Sequence, residues 1–285
     1  MKRKSRILAL ILALVLCVPM LISCGKTEKE PESKIPTMNE NGEVFFERDG
    51  QQIYGKLVLP EGEGPFPVVV IAHAYGATHI QTIGTAEKLA ENGIAAYVFD
   101  FIGGSRNGLS GGKTTEMSIL TEAADMTAVL EGIVLMPEID PNNVFVWGYS
   151  QGGLVASYVA AKNPETIKAA VLYFPAYSLQ DDMREIAADP AGIPDELEFM
   201  PPITVGRVYI EDGISFDIYD LLPNYTNDVW MIHGTADFIV PYEYSVRAAE
   251  TFPSAQLTLV EGGSHGNFAE EYDDQAIQFV KDHIE

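Results

Sequence analysis

Apolar residues follow two different periods along this chain. Continuous apolar runs at 67–72, 94–99 and 144–147 are typical of strands that are buried on both faces of a sheet. Residues 117–134 instead place apolar side chains every three to four positions, which predicts a helix. Strands that alternate with helices predict an α/β fold, with a mostly parallel sheet and helices on both faces.

The remaining segments extend this pattern to both ends of the domain. Asp49-Gly50 is a hairpin turn signal, so the short runs on either side of it predict two antiparallel opening strands. Further strands are predicted at 169–174, 229–233 and 257–260, and further helices at 86–91, 154–162 and 269–284.

One long segment, residues 176–225, interrupts the alternation. It is rich in proline, aromatic and acidic residues and reads as irregular. Because a loop of this length is usually functional, we predict a cap inserted over the site. The alternative is a surface elaboration that makes no contact with substrate.

The N-terminal residues predict a targeting signal rather than part of the folded domain. A basic start and a short apolar run lead into Leu21-Ile22-Ser23-Cys24, which resembles the lipobox of bacterial lipoproteins. We therefore predict a signal peptide at 1–23, a lipidated Cys24, a flexible tether at 24–42 and a folded domain at 43–285. The alternative is an ordinary signal peptide with an incidental cysteine. The lipid would anchor the protein to the outer face of the bacterial cell membrane.

Charge and histidine spacing exclude several classes of partner. The net charge is −23, from 18 lysines and arginines against 41 acidic residues. Such a surface repels nucleic acid, so we expect no nucleic-acid partner. The histidines show no metal-ligand spacing, and we expect neither a metal nor an organic cofactor.

The main chemical signal is Gly148-Tyr149-Ser150-Gln151-Gly152, which lies between the strand at 144–147 and a predicted helix. In that context the G-x-S-x-G pattern predicts a nucleophile elbow, in which a sharp turn lifts the serine hydroxyl above the sheet. The alternative is a glycine-rich turn of a nucleotide-binding fold, but that turn would lie early in the chain.

A serine nucleophile needs a base, and the base needs a carboxylate. In folds with this elbow the chain order is serine, acid, histidine. Among the histidines, His265 alone lies in a loop between the last strand and the last helix, whereas His233 ends a strand and is expected to be structural, and His283 lies at a terminus expected to fray. Asp237 follows the preceding strand and is the predicted acid. Its alternative role is that of a turn-forming residue.

An oxyanion hole requires two backbone N–H groups. We expect one from Gln151 at the start of the helix and the other from Tyr75, in the loop after the first buried strand.

Together these residues resemble the α/β-hydrolase family and, within it, the bacterial cinnamoyl (feruloyl) esterases. The resemblance rests on four segments: Asp100-Phe101 with the Gly- and Ser-rich loop after it, the elbow, Ile193-Pro194-Asp195, and the run from His233 to Asp237. The resemblance implies a triad of Ser150, Asp237 and His265, and a cap that holds an aromatic acyl group. Ala74 and Tyr149 depart from the family pattern, which usually has Gly and His there.

The sequence thus predicts a serine esterase that acts through an acyl-enzyme on hydroxycinnamoyl or other small acyl esters. A peptidase or another acyl hydrolase on the same fold is an alternative, because specificity depends on the cap. A non-catalytic binding lipoprotein is a second alternative. The oligomeric state is not predicted.

Overall fold

The computed structural model describes residues 35–285, except 190 and 267. The predicted signal peptide, the lipidation site Cys24 and most of the predicted tether lie outside the described residues. Within residues 35–285, leaving aside the two gaps, no helix is long and apolar enough to cross a membrane.

The elements alternate along the chain in the predicted way. The strands are β1 (Glu43–Arg48), β2 (Gln51–Val58), β3 (Phe66–Ala72), β4 (Ala95–Phe99), β5 (Ile139–Tyr149), β6 (Ile167–Tyr173), β7 (Glu196–Met200), β8 (Ile203–Gly206), β9 (Asp228–Gly234) and β10 (Ala255–Val260). The helices are α1 (Ile83–Glu91), α2 (Ile119–Ile133), α3 (Gln151–Lys162), α4 (Leu179–Ala187), α5 (Arg207–Ile214), α6 (Ile218–Leu221), α7 (Glu243–Thr251) and α8 (Glu270–Asp282).

Eight strands form one sheet in the order β1-β2-β4-β3-β5-β6-β9-β10. The pairs β1–β2 and β2–β4 are antiparallel, and every later pair is parallel. Asp49 and Gly50, which join β1 to β2, both adopt positive φ, as the hairpin turn requires. The predicted α/β fold, with its mostly parallel sheet, is confirmed.

Apolar side chains cover both faces of the sheet. On one face, α2 and α3 pack through Met126, Val129 and Leu154 against strand residues such as Val146. On the other face, α1 and α8 pack against Trp147 and its neighbours. Successive residues of β5 alternate between these two layers, and its apolar run is buried on both sides. This double burial explains why the central strands read as continuous apolar runs.

The inserted segment is more regular than the sequence indicates. The irregular reading of residues 176–225 is wrong, because the segment contains α4, the antiparallel hairpin β7–β8, and the helices α5 and α6. Aromatic and aliphatic side chains from it, including Tyr209 and Ile210, join the main core. Short, proline-bounded elements give weak periodic signals, which accounts for the difference.

Two terminal features also differ from the simplest expectation. His283 does not fray. Its ring lies 2.8 Å from Asp228 Oδ2 and 2.7 Å from the carbonyl oxygen of Phe279. At the other end, Asn39 accepts hydrogen bonds from the N–H groups of Asn41 and Glu43, and Met38 packs against the core. The last residues of the segment predicted as tether are therefore packed onto the domain.

Candidate active site

The elbow lies where β5 ends and α3 begins. Ser150 adopts φ 51° and ψ −116°, in the left-handed half of backbone space that non-glycine residues rarely occupy. Gly152 permits this turn, because a Cβ there would lie 2.4 Å from the carbonyl oxygen of His73 on the neighbouring strand's exit loop. This turn places Ser150 in the wall of a cavity, with its hydroxyl within hydrogen-bond reach of His265.

The structure brings Ser150, His265 and Asp237 together, although 115 residues separate the serine from the histidine. His265 Nε2 lies 3.0 Å from Ser150 Oγ, and His265 Nδ1 lies 2.7 Å from Asp237 Oδ2. An ionised carboxylate only accepts, so Nδ1 carries the proton and Nε2 is free to accept the serine proton. This is the arrangement that activates a serine.

Close backbone packing sets the relative position of the acid and histidine loops. The N–H of Ala236 donates to the carbonyl oxygen of Gly263 at 2.8 Å. A Cβ at Gly234 would lie 2.2 Å from that same oxygen, so only glycine fits there. The loop that follows β9 and the loop that follows β10 thus touch directly, and Asp237 and His265 are held in reach of each other.

Asp237 is held in its ionised form. Burial raises its pKa, but hydrogen bonds from His233, His265 and the N–H of Val240 outweigh burial and leave the pKa well below its usual range. Oδ1 accepts from the N–H groups of Ile239 (2.9 Å) and Val240 (3.0 Å), which leaves Oδ2 for the two histidines.

His233 has a larger role than its position at a strand end indicates. It is fully buried, and its Nε2 lies 2.9 Å from the carbonyl oxygen of Val240 and 3.1 Å from Asp237 Oδ2. Because the carbonyl accepts, Nε2 carries a proton and donates to the carboxylate as well. On the other side of the ring, Nδ1 lies 2.7 Å from Ser245 Oγ. No sequence pattern marks this contact, because His233 ends a strand and Asp237 lies in the loop after it.

The two predicted oxyanion donors flank the serine. Tyr75 and Gln151 both line the cavity that contains Ser150. Within the described part of the chain, neither backbone N–H donates to another backbone carbonyl or to a side chain. Both N–H groups therefore remain available to a bound oxyanion, as the hole requires.

The cavity at Ser150 has a volume of about 250 Å³. Its walls come from the oxyanion loop, the elbow, the inserted segment and the loop after Asp237; they are Tyr75, Ser150, Gln151, Ala176, Ser178, Leu179, Asp182, Phe199, Met200, Ile239 and Val240. Most of them are apolar, and Asp182 is the one charged member of this set. Larger and more open depressions of about 580 Å³ occur elsewhere on the surface, but none of the triad residues lines them.

The side chain of Asp182 is partly exposed and makes no hydrogen bond to any residue that the structure describes, whereas its backbone N–H donates to the carbonyl oxygen of Ser178 at 3.1 Å. Burial, together with the charges of Asp181 and Glu185, raises its pKa. A carboxylate in this position can accept a hydrogen bond from a donor group on a bound molecule.

A buried polar chain lies behind the elbow. Gln151 Nε2 donates to Glu122 Oε2 at 2.8 Å, and the Tyr209 hydroxyl donates to Gln151 Oε1 at 2.5 Å. All three side chains are almost completely buried. Burial raises the pKa of Glu122 to about 8. Sequence reasoning missed Glu122 and Tyr209, because they lie far from the elbow along the chain and match no motif.

Comparison with known proteins agrees with the observed fold. The sequence family described as "Serine aminopeptidase, S33" matches residues 63–204, which include the elbow. A structure of Est1E from Butyrivibrio proteoclasticus with ferulic acid bound has a TM-score of 0.73 and 25% identity, over 84% of this chain and 96% of that chain. The chain belongs to the α/β-hydrolase family.

Other known proteins also resemble the chain. An esterase from Exiguobacterium antarcticum has a TM-score of 0.62 at 21% identity, over 83% of this chain and 98% of that chain, and this likeness shows the fold alone. Among curated relatives, the quorum-quenching protein AidA of Acinetobacter baumannii (strain MDR-ZJ06) is 30% identical over 113 residues, which is 39% of this chain and 36% of that protein. The chain spans between about a third and three fifths of the length of the curated relatives it matches.

Proposed function

We propose that this α/β-hydrolase is a serine carboxylic-ester hydrolase. The observation that carries the proposal is the unbroken hydrogen-bonded chain from Ser150 through His265 to Asp237, which ends at a mainly apolar cavity. The likeness to Est1E, whose structure was solved with ferulic acid bound, supports the same conclusion.

The reaction has two halves. Ser150 Oγ attacks the ester carbonyl carbon while His265 Nε2 takes the hydroxyl proton, and the N–H groups of Tyr75 and Gln151 stabilise the oxyanion. When the tetrahedral intermediate collapses, the C–O bond to the alcohol breaks and His265 protonates the leaving oxygen. Water then attacks the acyl-enzyme, with His265 as base, and releases the acid and free Ser150. Asp237 stabilises the imidazolium in both halves.

The test is the Ser150→Ala variant. We expect it to abolish turnover of p-nitrophenyl acetate and labelling by a fluorophosphonate probe, while its circular dichroism spectrum and melting temperature stay close to those of the wild type. A wild-type protein that neither turns over the ester nor takes up the probe would instead support a non-catalytic binding protein.

The acyl group is proposed to be a hydroxycinnamoyl group or another small acyl group with a hydrogen-bond donor at its far end. Apolar walls such as Phe199 and Leu179 suit the body of the group, and the unpaired Asp182 carboxylate suits the donor. A panel of methyl esters tests this: Asp182→Asn should reduce kcat/KM for a 4-hydroxycinnamate ester more than for the unsubstituted cinnamate ester. Equal losses on both esters would remove Asp182 from substrate recognition.

A peptidase remains the second candidate, because the matching sequence family is described as a serine aminopeptidase and Asp182 could also accept from a substrate ammonium group. Aminoacyl p-nitroanilides belong in the same panel. Faster turnover of these amides than of any ester would favour the peptidase.

We further propose that the protein is an extracytoplasmic lipoprotein anchored through Cys24. The basic and apolar N-terminal pattern before Ser23-Cys24 supports the proposal. Expression in a bacterial host with a labelled fatty acid provides the test. The wild type should carry the label and fractionate with membranes, whereas Cys24→Ser should do neither.

A further inference from the structure

The side chains of both oxyanion residues, Tyr75 and Gln151, converge on one residue of the inserted segment. We propose that Tyr209 is a positioning residue that holds the two N–H donors of the oxyanion hole in place. This inference rests on the proposed hydrolase function and assigns the cap a part in the chemical step as well as in substrate selection.

The first connection runs through Gln151. Its amide lies between Glu122 of α2 and the hydroxyl of Tyr209 in α5, with hydrogen bonds of 2.8 Å and 2.5 Å, away from solvent. The side chain and the backbone nitrogen of Gln151 are bonded to the same Cα. Hydrogen bonds at both ends of the side-chain amide therefore restrict rotation of the peptide group between Ser150 and Gln151. Loss of the Tyr209 hydroxyl would leave Gln151 Oε1 buried and unpaired, and this favours rearrangement of the Gln151 side chain.

The second connection runs through Tyr75. Its ring packs edge-on against the ring of Tyr209, with a centroid distance of 6.0 Å, and against that of Phe199 at 6.1 Å. Phe199 and Tyr209 lie 5.2 Å apart, so the three rings form one cluster between the oxyanion loop and the cap.

The next residue of the loop is also in contact with the cap. A Cβ at Gly76 would lie 2.0 Å from Ile203 Cδ1, which shows how closely β8 approaches this loop. The backbone that presents the Tyr75 N–H is therefore packed under the cap over two consecutive residues.

Tyr209 does not line the cavity at Ser150, so its removal should spare ground-state binding. Displacement of a donor by a fraction of an ångström weakens the interaction that grows in the transition state. We therefore expect Tyr209→Phe to lower kcat for p-nitrophenyl acetate by about tenfold or more, with KM within about twofold of the wild-type value. The fluorophosphonate labelling rate should fall in parallel.

Tyr225→Phe is the matched control. Tyr225 is equally buried, and its hydroxyl donates to the carbonyl oxygen of Ile167 at the start of β6, which is the end of the sheet opposite the elbow. It should lower the melting temperature about as much as Tyr209→Phe and leave kcat unchanged. Equal kcat in Tyr209→Phe and Tyr225→Phe would overturn the proposal and leave Tyr209 as a core residue only.

A double-mutant cycle keeps the test decisive if Tyr209→Phe is poorly stable. Gln151→Met removes the amide but keeps the backbone donor, so adding Tyr209→Phe to it should cost much less kcat than Tyr209→Phe costs alone. Fully additive losses would show that Tyr209 does not act through Gln151 and would refute this connection. A wild type without turnover or labelling would refute the proposed function itself, an outcome that is read before any variant is compared.

Discussion

Replacing Asp237 by asparagine tests the orientation of His265 with the smallest possible change in shape. In the wild type, Oδ1 accepts from the N–H groups of Ile239 and Val240, and Oδ2 accepts from His265 and His233. Asparagine has one acceptor and one donor end. If its oxygen stays at the backbone N–H groups, its NH2 faces His265 Nδ1, which must then give up its proton.

This orientation of the asparagine forces His265 into the other tautomer. The remaining imidazole proton moves to Nε2, which can no longer accept the proton of Ser150. The opposite orientation of the amide restores His265 but directs NH2 at two backbone donors. Leaving both unpaired costs about 1–3 kcal/mol each, or about 2–6 kcal/mol together. At 1.4 kcal/mol per decade, the competent form falls by about 30-fold to about 10⁴-fold. The upper end matches the loss of about 10⁴ known for the same change in a serine protease triad.

The assay is kcat/KM for p-nitrophenyl acetate, with the melting temperature as a check on folding. Asp228→Asn is the matched control: it lies at the opposite end of the same strand, where its carboxylate accepts from Ser254 and His283. We expect Asp237→Asn to lose at least 30-fold and Asp228→Asn to keep its activity. Retention of more than a tenth of the activity by Asp237→Asn, or equal losses in both variants, would refute the reasoning from tautomers.

Other predictions concern stability. Burial raises the pKa of Glu122 to about 8, so the folded state binds this proton more tightly than the unfolded state. The free energy of unfolding should therefore fall as pH rises between about 4.5 and 8. In urea unfolding, the stability of Glu122→Gln relative to the wild type should increase over that range. Gly152→Ala should be strongly destabilising in thermal melts, whereas Gly84→Ala, whose Cβ meets nothing within 4 Å in helix α1, should be neutral or stabilising. Burial lowers the pKa of His283, but hydrogen bonds to the Phe279 carbonyl and to Asp228 outweigh burial, so the pKa is raised overall. The stabilising effect of this histidine is therefore complete below about pH 6.5 and is lost above the raised pKa. His283→Gln should lower the free energy of unfolding more at pH 5 than at pH 9.

The parts of the site that follow from the sequence are those fixed by chain order and by strand ends. Ser150 stands at a strand–helix turn, and Asp237 and His265 follow strands that end at the same edge of the sheet. In a parallel sheet these positions meet, so the G-x-S-x-G motif, the chain order and the pattern of apolar runs together predict the three residues as one site.

The parts that do not follow are contacts between distant elements. Tyr209 reaches Gln151 from 58 residues away, and Glu122 reaches it from 29. No periodicity marks such pairs, because each depends on how the cap and α2 settle on the elbow. The short helix α7 does not follow from the sequence for another reason. Its residues are mostly polar and resemble those of a loop, and packing against β9 and β10 stabilises the helix.

The hydrogen bond between Tyr209 and Gln151 bears on how this enzyme could be redesigned. Exchanging residues 176–225 for the corresponding segment of a relative is an obvious way to change the accepted acyl group, since Leu179, Phe199 and Met200 all belong to it. If Tyr209 positions the oxyanion donors as proposed, a donor segment without a tyrosine at that position would change the pocket and loosen the oxyanion hole in the same step. Libraries that recombine such segments should therefore keep Glu122, Gln151 and the tyrosine together in every variant. New specificity can then be selected without a loss of catalytic rate.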